Sequence, residues 1–298
     1  MPGSGIWPLI KTSIVSWRKD YASSMGGALA YYTLFSIAPV LIIVIAVAGF
    51  FLGAEAARGE IVAQLRGLLG EDGAIAVQGL LESASEPEEG LLATLASIAL
   101  LLLGATTVFA ELQSDLDRIW RAETAKSPSG VWAFLRARLL SFGMILVLAF
   151  LLLVSLVISA ALAVLGKWWG GWFEGWAILL EVLNFAVSFA ITTGLFALIY
   201  KFLPRAEIAW HDVWIGAAVT ALLFAVGKFL IGLYIGRSGI ASGFGAAGSF
   251  VVLLVWVYYS TQIFLLGAEF TWVYTHARGS RRGQPRPGAE PTREGTPS

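Results

Sequence analysis

The chain has 298 residues, of which 57% are hydrophobic and 13% charged, and its formal net charge is zero. A soluble protein carries about twice that charged fraction, so the composition excludes an ordinary soluble globular fold. The balanced charge gives no electrostatic reason to expect nucleic acid as a partner. The lack of cysteine excludes disulfides and thiolate metal sites. Long uncharged stretches rather than alternating strands predict an all-α polytopic membrane protein.

The first predicted element is an amphipathic helix in "IWPLIKTSIVSWRKDYASS". Lys11, Arg18 and Lys19 interrupt its apolar residues, a pattern that is typical of a helix lying on the membrane surface. No cleavable signal peptide is evident, so we expect this interfacial helix to precede the first span.

Six later stretches are long and apolar enough to cross a bilayer, which takes about 20 residues. We predict spans at about 28–52, 91–110, 139–165, 182–203, 213–236 and 248–272. Fifteen Lys and Arg residues lie in the N-terminal segment, the second and fourth connections and the tail, against four in the alternate connections. Because basic residues concentrate on the cytoplasmic side, both termini are predicted to be cytoplasmic.

The connection 53–90 predicts two short amphipathic helices that are broken between Gly70 and Gly73. They either cap the outer mouth of the bundle or rest at the lipid surface. Eight acids against two arginines suit capping better, because membrane surfaces are anionic. Residues 1–277 are thus predicted to form one six-span domain, and the Pro/Gly/Arg-rich tail 278–298 a disordered segment. No internal repeat supports an inverted-repeat transporter.

Lys228 is a charged residue inside the fifth predicted span, about 24 Å from the inner edge and so in the outer half of the bilayer. It belongs to a stripe of small residues, and such stripes allow close helix packing in membranes, so we expect this face to point into the bundle. The other members of the stripe are Ala217, Ala221, Ala225 and Gly232. An intramembrane lysine is a functional candidate, unless its stem snorkels to the outer interface. The partners expected from depth are Glu181, Asn184 and Tyr258.

A second polar group is predicted at the inner ends of the spans. Glu269 follows nineteen uncharged residues, about 28 Å of helix, so it lies near the cytoplasmic edge and roughly 20 Å from the level of Lys228. Glu111 ends the second span at the same inner level, and Thr107 and Ser114 share its helical face. The candidates for one shared inner vestibule are Tyr32, Glu111, Tyr258, Gln262 and Glu269. The alternative is that the carboxylates mark span ends and the tyrosines belong to the aromatic belt.

Other features are local. Pro39 removes a backbone hydrogen bond inside the first span and predicts a kink, which is a hinge candidate. "GFGAAG" matches the dinucleotide fingerprint in letters, but no strand precedes it, and "AVGKF" lacks the glycine spacing of a phosphate loop. The two histidines, His211 and His276, have no metal-ligand spacing. We therefore expect no cofactor, no metal and no catalytic residue.

Four segments carry a resemblance to the YihY/BrkB family of bacterial inner-membrane proteins, over about residues 22–276. They are "LAYYTLFSIAPVL", "ELQSDLDRIWRA", "LPRAEIAWHDVWIGAAVTALLFAVGKFLIGLYI" and "VWVYYSTQIFLLGAEFTW". The resemblance implies a multi-pass inner-membrane protein of a family with a virulence association and no established molecular activity. The family was formerly labelled ribonuclease BN, and roles in envelope lipid handling or transport have been suggested for it.

Three functions are compatible with these observations. The first is a transporter or flippase-like protein for a lipid or an amphipathic, anionic substrate, with membrane lipids as partners and no ATP site. The second is a non-transporting scaffold that organises envelope machinery through the outer hairpin and the tail. The ribonuclease is disfavoured, because RNA hydrolysis needs a metal or His pair and a basic groove, whereas the 111–138 loop mixes five basic with four acidic residues.

Overall fold

The computed structural model describes residues 5–84, 91–122, 139, 141–147, 149–151, 153–154, 158, 176–238, 243–244 and 247–282. Its long helices are α1 (Ile6–Lys19), α2 (Ala22–Leu52), α3 (Ala54–Ala84), α4 (Leu91–Ile119), α5 (Trp176–Phe202), α6 (Trp210–Ser238) and α7 (Gly248–Ala277). The residues within these ranges form no β-strand, as the composition predicts.

Five helices are long and apolar enough to cross a membrane: α2, α4, α5, α6 and α7. A shorter apolar helical stretch, Ser141–Leu151, lies within the third predicted span, 139–165, most of which falls outside the described residues. The prediction of a polytopic all-α membrane protein is confirmed. The helices extend past the predicted spans, by six residues at the start of α2 and nine at the end of α4, because the helical hydrogen bonding continues beyond the apolar stretch.

Helix α7 is central in the bundle and packs against α1, α2, α3, α4 and α6, while α5 packs against α6. The larger apolar core lies at one end of the bundle, where α2 and α6 begin and α4, α5 and α7 end. This end also holds α1, and we call it the terminal end. Fully buried Leu116, Tyr200, Val213 and Leu265 form part of its core.

The α6–α7 contact is built from two Gly-x-x-x-Thr pairs. Thr220 donates to the Gly216 carbonyl at 2.8 Å and Thr271 to the Gly267 carbonyl at 2.7 Å. Each threonine packs on the glycine of the other helix, so a Cβ on Gly216 would overlap Thr271 and one on Gly267 would overlap Thr220. Small residues allow membrane helices to approach closely and gain dispersion energy, which fixes the register of α6 on α7.

The predicted outer hairpin is α3, and its two halves are broken at Gly70, where φ is 77° and ψ is 179°. This backbone conformation is open almost only to glycine. An exposed ion pair of 2.7 Å between Arg66 and Glu71 crosses the break. The hairpin packs along the bundle rather than lying apart from it: Val77 and Leu81 are buried in one apolar cluster with residues of α2 and α7.

The first half of α3 runs back beside α2. Ala48 lies beside Ala57 and Val44 beside Ile61 around one narrow cavity, which is the pairing of antiparallel neighbours. The hairpin therefore covers a side of α2 at the end of the bundle opposite α1.

Helix α1 packs on α7 and buries Leu9, Ser13 and Ser16. This position differs from the sequence prediction of a helix lying only on the membrane surface, because the buried face of α1 carries small polar residues that fit against another helix. Ile6 and Trp7 remain exposed on its other side.

The chain beyond α7 stays in contact with the bundle for several residues. The Ser280 amide and hydroxyl donate to Asp212 Oδ2 at 2.9 and 2.7 Å, and Arg281 donates to the Glu207 carbonyl at 2.6 Å. Residues 278–282 were predicted to begin a disordered tail, and this boundary is too early because Asp212 and Glu207 hold them. The rest of the predicted tail lies outside the described residues.

Candidate functional site

A polar pocket of about 340 Å³ opens between the start of α2 and the end of α4. Its lining residues are Tyr21, Ser24, Met25, Ala28, Glu111, Asp115 and Arg118. Of these, the sequence predicted Glu111 alone as a site residue. The signal that could have shown the others is the spacing from Glu111 to Asp115 and Arg118, which puts all three on one face of a helix.

Asp115 is the buried member of this polar pocket. It is 5% exposed, and its Oδ2 has no hydrogen-bond partner. The charges of Glu111 and Arg118 act on it from the same helix. Of the face expected from the sequence, Thr107–Glu111–Ser114, only Glu111 lines the pocket. The Thr107 hydroxyl bonds the Leu103 carbonyl of its own helix, and Ser114 is exposed.

Glu269 lies apart from the polar pocket, at a fully buried position where the α1–α2 turn, the end of α4 and α7 meet, and we call this buried cluster the chamber. It is 0% exposed, and neither carboxylate oxygen has a hydrogen-bond donor. The Asp20 carboxyl, in the turn between α1 and α2, lies within hydrogen-bonding reach of Glu269, and the charge of Arg121 acts on it. The Arg121 guanidinium lies 4.5 Å from the centre of the Trp272 ring, a cation–π distance.

Local backbone geometry brings Asp20 and Arg121 to the chamber. Tyr21 has φ 57° and Arg121 has φ 47°, so both helix junctions turn in the left-handed region. The Tyr21 carbonyl accepts the Ser24 amide at 2.9 Å and starts α2 directly after Asp20. Neither Asp20 nor Arg121 was singled out from the sequence, because periodicity does not show which junctions meet in space.

The structure does not gather the predicted vestibule into one cavity. Glu111 lines the open polar pocket, whereas Glu269 is fully buried and does not line it. Gln262 donates to the Ala22 carbonyl at 3.4 Å, and its side chain occupies the space that Gly26 leaves free. Tyr32 is half-buried with its ring against Tyr31. These residues share one end of the bundle, but they do not line one space.

Tyr258 lines a third space, an apolar groove between α6 and α7 that we call the α6–α7 groove. Its volume is about 360 Å³, and it opens to the side of the bundle. The lining residues are Leu230, Ile231, Tyr234, Val255, Tyr258 and Tyr259. The open side exposes Leu230 and Tyr234, whereas Ile231 forms the buried floor.

Lys228 is exposed and does not line the groove, although it lies two residues before the lining residue Leu230 on α6, toward the terminal end. Its neighbour Gly227 packs on Tyr259 and Ile263, which places Lys228 about 13 Å along the axis from Glu269 rather than the predicted 20 Å. The reason is that α6 and α7 are staggered. Lys228 and Glu269 still form no ion pair, because one points outward and the other is buried.

The small-residue stripe of α6 enters the bundle only in part. Ala217 and Ala221 are buried, but Lys228 and Gly232 are exposed, so the expectation that the whole face points inward is wrong. Gly216, Thr220 and Gly227 make the contact with α7 instead.

Two further predicted residues have separate surroundings. Asn184 is exposed on α5, about two turns along the bundle from Lys228 by the pairing of Tyr200 with Thr220, so the two side chains do not meet. Pro39 lies inside α2 and packs against Gly104 of α4, where Ser36 donates to the Gly104 carbonyl at 2.6 Å. The hinge role of Pro39 stays a prediction, and its position is a helix–helix contact.

Five helices are long and apolar enough to cross a membrane, and they enclose buried carboxylates and leave a groove open at the side of the bundle. These features define a polytopic integral membrane protein. The sequence profile of the family described as "Virulence factor BrkB" matches residues 13–292. The chain belongs to this family, which confirms the resemblance seen in its motifs.

Curated relatives are named UPF0761 membrane proteins. The protein of Tolumonas auensis is 28% identical over 264 residues, which cover 86% of this chain and 82% of the relative. That of Verminephrobacter eiseniae is 28% identical over 260 residues, covering 86% of this chain and 59% of the relative. That of Psychromonas ingrahamii is 26% identical over 267 residues, covering 86% and 84%. No solved structure matches the chain.

Proposed function

We propose that this protein moves an anionic lipid, or a related amphipathic substrate, between the two faces of the bacterial inner membrane. The observation that carries the proposal is the apolar α6–α7 groove, with Lys228 two residues before its lining residue Leu230 on the same helix. A groove of about 360 Å³ that opens at the side of the bundle suits an acyl chain, and the ammonium group suits an acidic headgroup.

The charge of Lys228 gives the groove its selectivity. A lysine within a membrane span is costly unless it serves a purpose or reaches the interface. Lys228 is exposed on α6, so its ammonium is open to the phosphate of a lipid that approaches this helix. Charge-assisted hydrogen bonds of this kind are about twice as strong as neutral ones.

The polar pocket suits the same role at the terminal end. Its Arg118, together with Ser24 and Tyr21, provides donors for a headgroup that leaves the groove, while Glu111 and Asp115 provide acceptors. No phosphate-loop motif occurs in the sequence, so we propose that an ion gradient or the substrate's own gradient drives the movement, and that the protein is not an enzyme.

The experiment is a lipid-translocation assay in liposomes that contain the purified full chain and fluorescent phosphatidylglycerol. Val255→Trp fills the α6–α7 groove and is expected to reduce translocation to the rate of empty liposomes. Leu222→Trp, at an exposed position on α6 outside the groove, is the matched control and keeps the wild-type rate.

Equal rates for Val255→Trp and the wild type would overturn the groove as the path. A wild-type rate no higher than that of empty liposomes would remove the transport proposal altogether. The scaffold alternative predicts that second result, because a scaffold moves no lipid.

A further inference from the structure

The chamber around Glu269 holds two carboxyl groups and has no use in the groove mechanism. Glu269 is 0% exposed, and neither of its oxygens meets a hydrogen-bond donor. The Asp20 carboxyl faces it within hydrogen-bonding reach, and Asp20 Oδ2 is also buried without a donor. Two carboxylates at this distance repel strongly in a buried site unless something positive lies between them.

The charges around the chamber leave one negative charge uncompensated. Of the basic groups, Arg121 is the one whose charge acts on Glu269, and its position over the Trp272 ring holds it at the side of the pair. Two carboxylates and one guanidinium sum to one negative charge, and burying an unbalanced charge is far more costly than burying a neutral group.

The other titratable groups at this end are engaged elsewhere. On α4, Asp115 interacts with Glu111 and Arg118. On α6, Asp212 accepts two hydrogen bonds from Ser280, and His211 lies beside it. On α7, the His276 ring contacts the Trp272 carbonyl.

On α1, Arg18 and Lys19 are exposed to solvent. On α5, Lys201 donates to the Ile208 carbonyl at 2.5 Å. Just after α7, Arg278 and Arg281 donate to the Gly5 and Glu207 carbonyls. Among the residues that the structure describes, Arg121 is therefore the one cation that acts on Glu269.

We propose that Asp20 and Glu269 form a binding site for one proton, which they share in a carboxylic acid–carboxylate hydrogen bond. The shared proton supplies the missing donor between the two groups and makes the cluster with Arg121 neutral. The two carboxyl groups that share the proton lie on different elements, the α1–α2 turn and α7. Loss of the proton therefore creates repulsion between these elements and favours their separation.

This site deepens the proposed function by naming the coupling ion. If the protein moves a lipid with an ion gradient, the ion is the proton held at the chamber, and this step rests on the proposed function. The existence of the proton site does not depend on transport, and the experiment measures the two separately.

The experiment is infrared difference spectroscopy of the full chain in lipid nanodiscs at pH 7, where an ordinary carboxyl group is ionised. The wild type is expected to show the carbonyl band of a protonated carboxylic acid. Glu269→Gln and Asp20→Asn are each expected to remove the chamber's share of the band, because each leaves a single carboxylate beside Arg121. Asp115, a further buried carboxyl group with an oxygen that has no hydrogen-bond partner, contributes equally in all samples. Glu181→Gln, at an exposed position on α5, is the control that keeps the band.

The wild-type spectrum alone is a test that needs no variant to fold. Absence of the band in the wild type, or an unchanged band intensity in both chamber variants, would overturn the proton site. If the band is present but a pH gradient leaves lipid translocation unchanged, the site stands and its coupling role fails.

Discussion

Tyr200 shows how single residues join three helices at the terminal end. Its side chain is fully buried, and its hydroxyl donates to the Phe264 carbonyl at 2.8 Å and lies 3.1 Å from the Thr220 hydroxyl. It therefore connects α5 to both α6 and α7. Because the Thr220 hydroxyl keeps its bond to the Gly216 carbonyl, losing Tyr200's hydroxyl leaves no isolated donor behind.

Tyr200→Phe is therefore expected to lower the free energy of unfolding by about 1 kcal/mol, the usual net contribution of such a bond. Denaturant-induced unfolding in detergent, followed by tryptophan fluorescence, measures this change. Tyr31→Phe removes a hydroxyl from an exposed tyrosine and should leave the unfolding curve where it is. A loss as small as that of the control would show that the buried hydroxyl contributes nothing.

The depth of a residue along its helix could be predicted from the sequence, but the residues of other helices that it contacts could not. The uncharged run before Glu269 predicted that it lies near the end of a span. Its approach to Asp20 depends on the left-handed turn at Tyr21 and on how α1 folds over α7. These are tertiary features that periodicity does not contain.

At the scale of elements, the contact between α6 and α7 determines which residues face the core. Two stripes of small residues lie one position apart on α6, one with Gly216 and Thr220 and the other with Ala217 and Ala221. The sequence offers no basis for choosing between them, and the first makes the contact with α7. This one-residue difference turns Lys228 outward and explains why its predicted inward direction was wrong.

Gly216→Ala is expected to destabilise the α6–α7 contact by about 1–3 kcal/mol, the cost of overpacking a close-fitting site. The added Cβ would overlap the Oγ1, Cγ2 and Cβ atoms of Thr271, and the Thr271 hydroxyl is held by its bond to the Gly267 carbonyl. Gly232→Ala, on the same helix, adds a methyl group with nothing within 4 Å, so it should be neutral or slightly stabilising. Thermal unfolding of the two variants in detergent compares them, and equal melting temperatures would contradict the contact.

At the scale of the whole molecule, the class and the main helices could be predicted and their arrangement could not. Apolar length alone identified α2, α4, α5, α6 and α7, because bilayer thickness fixes the length of a span. The return of α3 along α2 and the stagger of α6 on α7 depend on side-chain fit. The positions of the polar pocket, the α6–α7 groove and the buried chamber follow from that arrangement.

The groove, the polar pocket and the chamber each have a separate role in the proposed function. The α6–α7 groove receives the acyl chain, the polar pocket offers donors and acceptors to the headgroup, and the chamber holds a proton. The groove and the chamber both include residues of α7, so a structural change at the chamber can be transmitted to the groove through this helix.

The most direct test of the central claim is native mass spectrometry of the full chain with equal amounts of phosphatidylglycerol and phosphatidylcholine. The account predicts that the wild type binds the anionic lipid preferentially. Lys228→Met should lower that preference by about tenfold, since a hydrogen bond to a charged group contributes about 1.5 kcal/mol. Lys11→Met, which removes an exposed lysine of α1, should keep the preference. A wild type that binds both lipids equally, or a Lys228→Met variant as selective as the wild type, would contradict the account.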